Sequence, residues 1–210
     1  MSSELTKLSC EEFSSVLAAK QPVPGGGGAA AYVGALGVAL GAMVGNYTSG
    51  KKRYAAYQGD VERMIATAEE IRARLVALVD ADADAFYPLS QAYAIPKEDP
   101  TRADVLEAAT KGALAGPLEM MRQIARAIEL LEEMGEKGSR MLVSDVGCGA
   151  LLCRAALEAA SLNVFVNTKS LADRGYAASV EEECDALLAE WRPRADAVVA
   201  QVTRSIRGGE

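Results

Sequence analysis

The chain has 210 residues, 50% of them hydrophobic and 24% charged, which suits one domain with a real core and is too apolar for a disordered chain. A net charge of −7 sets aside nucleic acid and an anionic membrane as general partners, so an anionic ligand must be met by a local basic patch. There is no histidine, which removes Ser-His-Asp and Cys-His catalysis, histidine-bearing zinc sites and the usual neutral-pH proton shuttle.

Acid–base work therefore falls to Asp, Glu, Lys, Tyr or Cys, and no metal site is expected. Cys10, Cys148, Cys153 and Cys184 show no CxxC spacing and no signal peptide precedes them. They read as reduced, largely buried thiols of a cytoplasmic protein.

In chain order, Ser9 and Glu12 form a capping-box pattern ahead of Phe13, Val16 and Leu17, predicting a short helix that ends near Lys20. Pro22 to Gly25 is a turn, and the next helix starts within Gly25–Gly28. No charged residue lies between Lys20 and Lys51. That run is long enough to raise a membrane span, but its glycines and the prolines at its start favour a core helix. Gly34, Gly37, Gly41 and Gly45 recur at spacings that place them on one side. Glycine costs about 1 kcal/mol against Ala inside a helix, so this row calls for close helix contact at a core or subunit interface. The basic cluster Lys51, Lys52, Arg53 follows at once.

A long helix is predicted over Lys51–Ala92, with Val61, Met64, Ala68, Ile71, Leu75, Leu78, Val79 and Phe86 on its apolar side. At about 100° per residue, Asp82 falls inside that stripe, while Asp80 and Asp84 face solvent. A carboxylate on a core face must be paired, hydrogen-bonded or shifted in pKa, which makes Asp82 a site candidate. Thr101 and Asp104 form the capping pair of the next helix, and Gly116-Pro117 should kink or break it. Met120, Met121 and Met134 continue its stripe as core filler. After Gly135 and Gly138 another helix begins with Ser144 or Asp145 as N-cap, and a cap alone would explain Asp145. Leu162–Thr168 could alternate as a strand. The last helix is predicted over Val180–Ile206, interrupted at Pro193. These elements give one all-α domain over residues 1–210, a bundle of about six to nine helices around a Gly/Ala-rich central one.

Gly25–Gly28 fits neither the Walker nor the dinucleotide pattern, since no GK[ST] and no preceding strand accompany it. Glycine amides at a helix N-terminus can hold an anion or a carbonyl-rich ring. Lys51, Lys52 and Arg53 either offset the helix dipole or hold the carboxylates of an acidic small molecule. Residue by residue, the chain is a helical domain with a polar site near Gly25–Gly28, Asp82 and Asp145, and no substrate is named.

The stretches PGGGGAAA, GNYTSGKKRY, DADADAF, AYAIPK, SDVGCGALL and LNVFVNTKSLADR, in this order, resemble the cyclodeaminase/cyclohydrolase family of folate enzymes. The resemblance implies an all-α fold, a homodimer, a tetrahydrofolate site, and no cofactor beyond tetrahydrofolate as the substrate's carrier. Asp82 and Asp145 match the family's aspartates. Gly28 stands where many relatives have Ser, and Arg53 where Lys is common. The implied roles are catalysis by Asp82, Asp145 and Lys51 within one pocket. Gly25, Gly26, Gly27 and Gly28 would cradle the ring system, with Asn46 or Asn163 for hydrogen bonds and Lys52 in the basic cluster for the glutamyl tail. Tyr54 and Asn167, in the same motifs, join the substrate-binding set.

Two reactions share that pocket. One is hydrolysis of 5,10-methenyltetrahydrofolate to 10-formyltetrahydrofolate, favoured by a length with no transferase domain attached. The other is ring closure of 5-formiminotetrahydrofolate with loss of ammonia. A third reading is a folate-binding or helical interaction protein without chemistry, against which the retained Asp82, Asp145 and Lys51 argue.

Overall fold

Helix α1 (Cys10–Ala18) starts as the capping box predicts, with the Ser9 hydroxyl accepting from the Glu12 N–H and Glu12 accepting from the Ser9 N–H. The computed structural model describes residues 4–208. Five longer helices follow: α2 (Gly26–Thr48), α3 (Gln58–Ala94), α4 (Arg102–Lys137), α5 (Val143–Thr168) and α6 (Arg174–Ile206). No strand occurs among the described residues, and Leu162–Thr168 is the last part of α5. The all-α bundle is as expected.

Several boundaries differ from the sequence reading. Gly50 takes a left-handed φ of 74° and Lys51 is extended, so the chain turns through a 3₁₀ segment (Lys52–Tyr57) before α3 can begin. Gln58 fixes this corner by accepting from the Gly50 N–H at 2.9 Å and donating to the Ser49 hydroxyl. Thr101 does not cap α4 with Asp104; its N–H and hydroxyl both donate to Asp99.

Pro117 lies inside an unbroken α4, and Pro193 inside an unbroken α6. Around Pro117 the burial of Ala113, Leu114 and Leu118 outweighs the one backbone hydrogen bond that proline removes. Helix α6 begins at Arg174 because the Asp173 carboxylate accepts from the Tyr176 N–H at 3.0 Å, a side-chain cap that lies ahead of Val180. Ser144 and Asp145 are not N-caps. They sit in the first turn of α5, behind a 3₁₀ turn at Arg140–Leu142.

The core is built around α4, whose Met120, Met121, Ile124, Ile128 and Leu131 are fully buried between the other long helices. Met120, Met121 and Met134 are core filler as predicted, and Met64 is buried on the apolar side of α3. The glycine row of α2 also faces the core. A Cβ on Gly37 would lie 2.5 Å from Cys153 Sγ and 2.9 Å from the Gly149 carbonyl oxygen of α5, so two backbones meet there. Gly34 faces Ile124, Gly41 faces Leu130 and Leu131, and Gly45 faces Ile65. Of the cysteines, Cys153 and Cys184 are buried and Cys10 and Cys148 exposed; all are free thiols. Burial pushes the pKa of Cys153 and Cys184 up to about 12, which leaves both as unreactive thiols.

Helices α2 and α5 run antiparallel. Asn163, near the end of α5, lies beside Gly26 at the start of α2. At the other end the Ser139 N–H donates to Thr48 Oγ1 at 2.8 Å, and Thr48 Oγ1 donates to the Val44 carbonyl at 2.7 Å. Both Thr48 and Ser139 are buried. Thr48→Val keeps the shape and orphans the Ser139 N–H, so the stability measured by denaturant midpoint should fall by about 1–3 kcal/mol; an unchanged midpoint would refute this role. By length and composition α2 and Arg140–Thr168 could each cross a membrane, with 56% of the α2 window and 44% of the other buried inside the bundle.

Candidate functional site

Helix α2 opens on Gly25, which is extended and offers no side-chain cap. The first amides of a helix need an acceptor, and Asp82 supplies one from α3. Its carboxylate accepts from the Gly28 N–H. A Cβ on Gly27 would fall 2.5 Å from both carboxylate oxygens, so only glycine lets the acid lie against this turn undisturbed. Leu75, Leu78, Val79 and Ala83 anchor the same face of α3 in the core, which fixes the height at which Asp82 projects. The expectation that Asp82 faces inward holds.

Asp82 is half-buried, and loss of hydration pushes its carboxyl above the ordinary aspartate value, against the downward pull of the Gly28 hydrogen bond. Gly116 on α4 borders the same carboxylate, its would-be Cβ 3.9 Å from Asp82 Oδ1. Asn163 closes another side, with both side-chain polar atoms 3.5 Å from a would-be Cβ on Gly26. Its amide donates to the Ala159 carbonyl, and the Asn167 amide donates to the Asn163 carbonyl.

Asp80 is not a purely solvated residue: its carboxylate accepts from the Thr6 hydroxyl at 2.6 Å and from the Thr6 N–H at 3.3 Å, tying the N-terminal segment beside the site. Asp84 is half-buried rather than fully solvated. Gly116 was read from sequence only as a helix breaker.

The remaining candidates lie at the other end of the bundle. Asn46, Lys51 and Lys52 are exposed where α2 ends, and Asp145 is half-buried in the first turn of α5. Tyr54 Oη accepts from the Arg140 N–H at 3.1 Å, and that hydrogen bond is the main cause of its lowered pKa. Tyr54 thus ties the basic corner to the start of α5. Along α2 the two ends are roughly 30 Å apart. One chain therefore does not gather Asp82, Asp145 and Lys51 into one pocket, because α2 and α5 are long and antiparallel. Gly25–Gly28, Asp82, Asn163 and Asn167 form one cluster; Asn46, Lys51, Lys52, Tyr54 and Asp145 form the other. A groove of about 720 Å³ between α4, α5 and α6, lined by Glu132, Glu136, Arg140, Gln201 and Arg204 among others, contains none of them.

Comparison with known proteins follows this geometry. Residues 9–186 match the family described as formiminotransferase-cyclodeaminase. The chain belongs to the formiminotransferase-cyclodeaminase family. It is 40% identical over 184 residues to a methenyltetrahydrofolate cyclohydrolase of Methylorubrum extorquens, covering 86% of this chain and 88% of that protein. It is 30% identical over 202 residues to the formimidoyltransferase-cyclodeaminase of Mus musculus, of which it spans only 37%. Among solved structures, the formiminotetrahydrofolate cyclodeaminase of Thermotoga maritima superposes with a TM-score of 0.85 at 31% identity, covering 98% of both chains. Membership of this folate-enzyme family is thus supported by sequence and by fold over almost the whole chain.

Proposed function

We propose that the protein hydrolyses 5,10-methenyltetrahydrofolate to 10-formyltetrahydrofolate. One observation carries this reading: a half-buried carboxylate, Asp82, lies flat against a glycine turn with its pKa raised. Such a group is a suitable general base. The 40% identity with a methenyltetrahydrofolate cyclohydrolase over nearly its full length supports the substrate.

The bridging carbon of the substrate is a cationic amidinium and is itself the electrophile. Asp82 takes one proton from water as its oxygen bonds to that carbon. The resulting carbinolamine opens by breaking the bond from carbon to N5. Its hydroxyl proton is lost as the formyl C=O forms, and N5 gains a proton, leaving the formyl group on N10. The ionised carboxylate also stabilises the cation as it binds. Gly25–Gly28, bordered by Asp82 and Asn163, offer a flat surface for the ring system. The protein acts on free folate in the cytoplasm.

The likeness to a formiminotetrahydrofolate cyclodeaminase supports a second reading. There the 5-formimino group closes onto N10, and protonated Asp82 gives the departing nitrogen its proton. Loss of methenyl absorbance, measured beside ammonia release from 5-formiminotetrahydrofolate, separates the two. Hydrolysis well above the uncatalysed rate is expected. Ammonia release without it would replace the first reading with the second.

A further inference from the structure

Gly116 stands inside α4, where glycine costs about 1 kcal/mol against Ala, and the usual reasons for a helical glycine do not apply to it. Its φ is not positive; the left-handed glycines among the described residues are Gly50 and Gly208. Packing does not require it, since a Cβ there would meet only Asp82 Oδ1, at 3.9 Å. Nor does Pro117, although a side chain directly ahead of a proline is crowded in a helix. Pro88 in α3 follows Tyr87 and Pro193 in α6 follows Arg192, and both helices run unbroken through them.

What Gly116 leaves is room beside a carboxylate that is closed in on the α2 side. There Gly27 lies against both oxygens and the Gly28 N–H donates to the group. Gly116 itself is half-buried. One turn earlier on the same face Gly112 is exposed, and a Cβ on it would meet nothing within 4 Å. The edge of α4 that runs from solvent to Asp82 is therefore bare backbone at both turns.

We infer that Gly116 is a specificity-determining residue: the bare turn of α4 admits the water that attacks the one-carbon centre and lets it lie against Asp82 Oδ1. The inference rests on the proposed reading in which Asp82 is the base of a hydrolysis. A water oxygen about 2.8 Å from Oδ1 fits between the carboxylate and a helix turn that carries no Cβ. A methyl group 3.9 Å from Oδ1 takes up part of that space, and a branched side chain takes up more. As the water oxygen bonds to carbon, one of its protons passes to Asp82, so the reaction is the one already described. Ring closure of the formimino group with loss of ammonia consumes no water, so this opening serves hydrolysis alone.

Gly116→Ala and Gly116→Val are compared with wild type for methenyl loss over a range of substrate concentrations. The kcat should fall about tenfold in the first and about 100-fold in the second. KM should stay within about twofold of wild type, because the substrate's own place over Gly25–Gly28 is untouched. Melting temperatures are measured on the same samples. If Gly116→Ala melts well below wild type, the same change is made in a Pro117→Ala background, where no ring crowds residue 116. Read against Pro117→Ala alone, it should show the same tenfold fall. An unchanged kcat in both variants, a KM that rises at constant kcat, or a loss of kcat that only tracks the unfolded fraction would each overturn the role and leave the proposed function standing. A wild type that hydrolyses nothing above the uncatalysed rate would remove that function and this role with it.

Discussion

Asp82→Asn should reduce turnover by roughly 10²–10⁴-fold, the usual contribution of a positioned general base, while leaving the fold intact. The amide has the shape of the carboxylate, and its oxygen can still accept from the Gly28 N–H, so the cap on α2 survives. Stability should not fall. The folded pKa of Asp82 lies above the ordinary aspartate value because of burial, so the folded state holds this proton more tightly than the unfolded chain does. The stabilisation from that proton is complete below the unfolded pKa and is lost as pH rises through the folded one. At neutral pH the ionised carboxylate is a burden on the fold, and Asn relieves it. Melting temperature and turnover measured on the same sample test both halves. An inactive variant that melts well below wild type would make Asp82 a structural cap, and an unimpaired one would remove it from the mechanism.

Gly37→Ala should be among the most damaging single-methyl additions to the chain. The new Cβ would stand 2.5 Å from Cys153 Sγ and 2.9 Å from the Gly149 carbonyl. Neither a buried thiol between packed helices nor a helix backbone can give way cheaply. Overpacking of this kind costs about 1–3 kcal/mol, partly offset by the better helix propensity of Ala, worth about 1 kcal/mol. At about 2–4 °C per kcal/mol for a chain of this size, the net loss should lower Tm by several degrees. Gly112→Ala on α4, where a Cβ meets nothing within 4 Å, should instead stabilise by about 0.5–1 kcal/mol. Equal effects from the two substitutions would contradict the packing account of the glycine row.

The helices and their core faces were legible in the sequence because burial imposes a period of 3.6 residues. The inward turn of Asp82 could be read for the same reason: the wheel placed it between Leu78, Val79 and Phe86. The breaks at Pro117 and Pro193 were misread because local propensity was weighed without the tertiary packing that overrides it. The Asp173 cap was missed because Val180 begins the obvious apolar stripe, whereas the cap lies about two turns ahead of it. Thr6 on Asp80 was not legible at all, since no pattern links residues 74 positions apart. The division of the site into two ends is of the same kind. It follows from the antiparallel run of α2 and α5, and one-dimensional motifs do not record which ends of helices meet.

The central claim is that Asp82, with its pKa raised by burial, is the base of the hydrolytic step. The pH dependence of kcat/KM for methenyl loss, after subtraction of the uncatalysed rate, tests it most directly. The base works only when ionised, so the rate should fall as pH decreases, with a midpoint above the ordinary aspartate value, and Asp82→Asn should lack this limb. A limb centred at or below the ordinary aspartate value, or the same limb in Asp82→Asn, would contradict it.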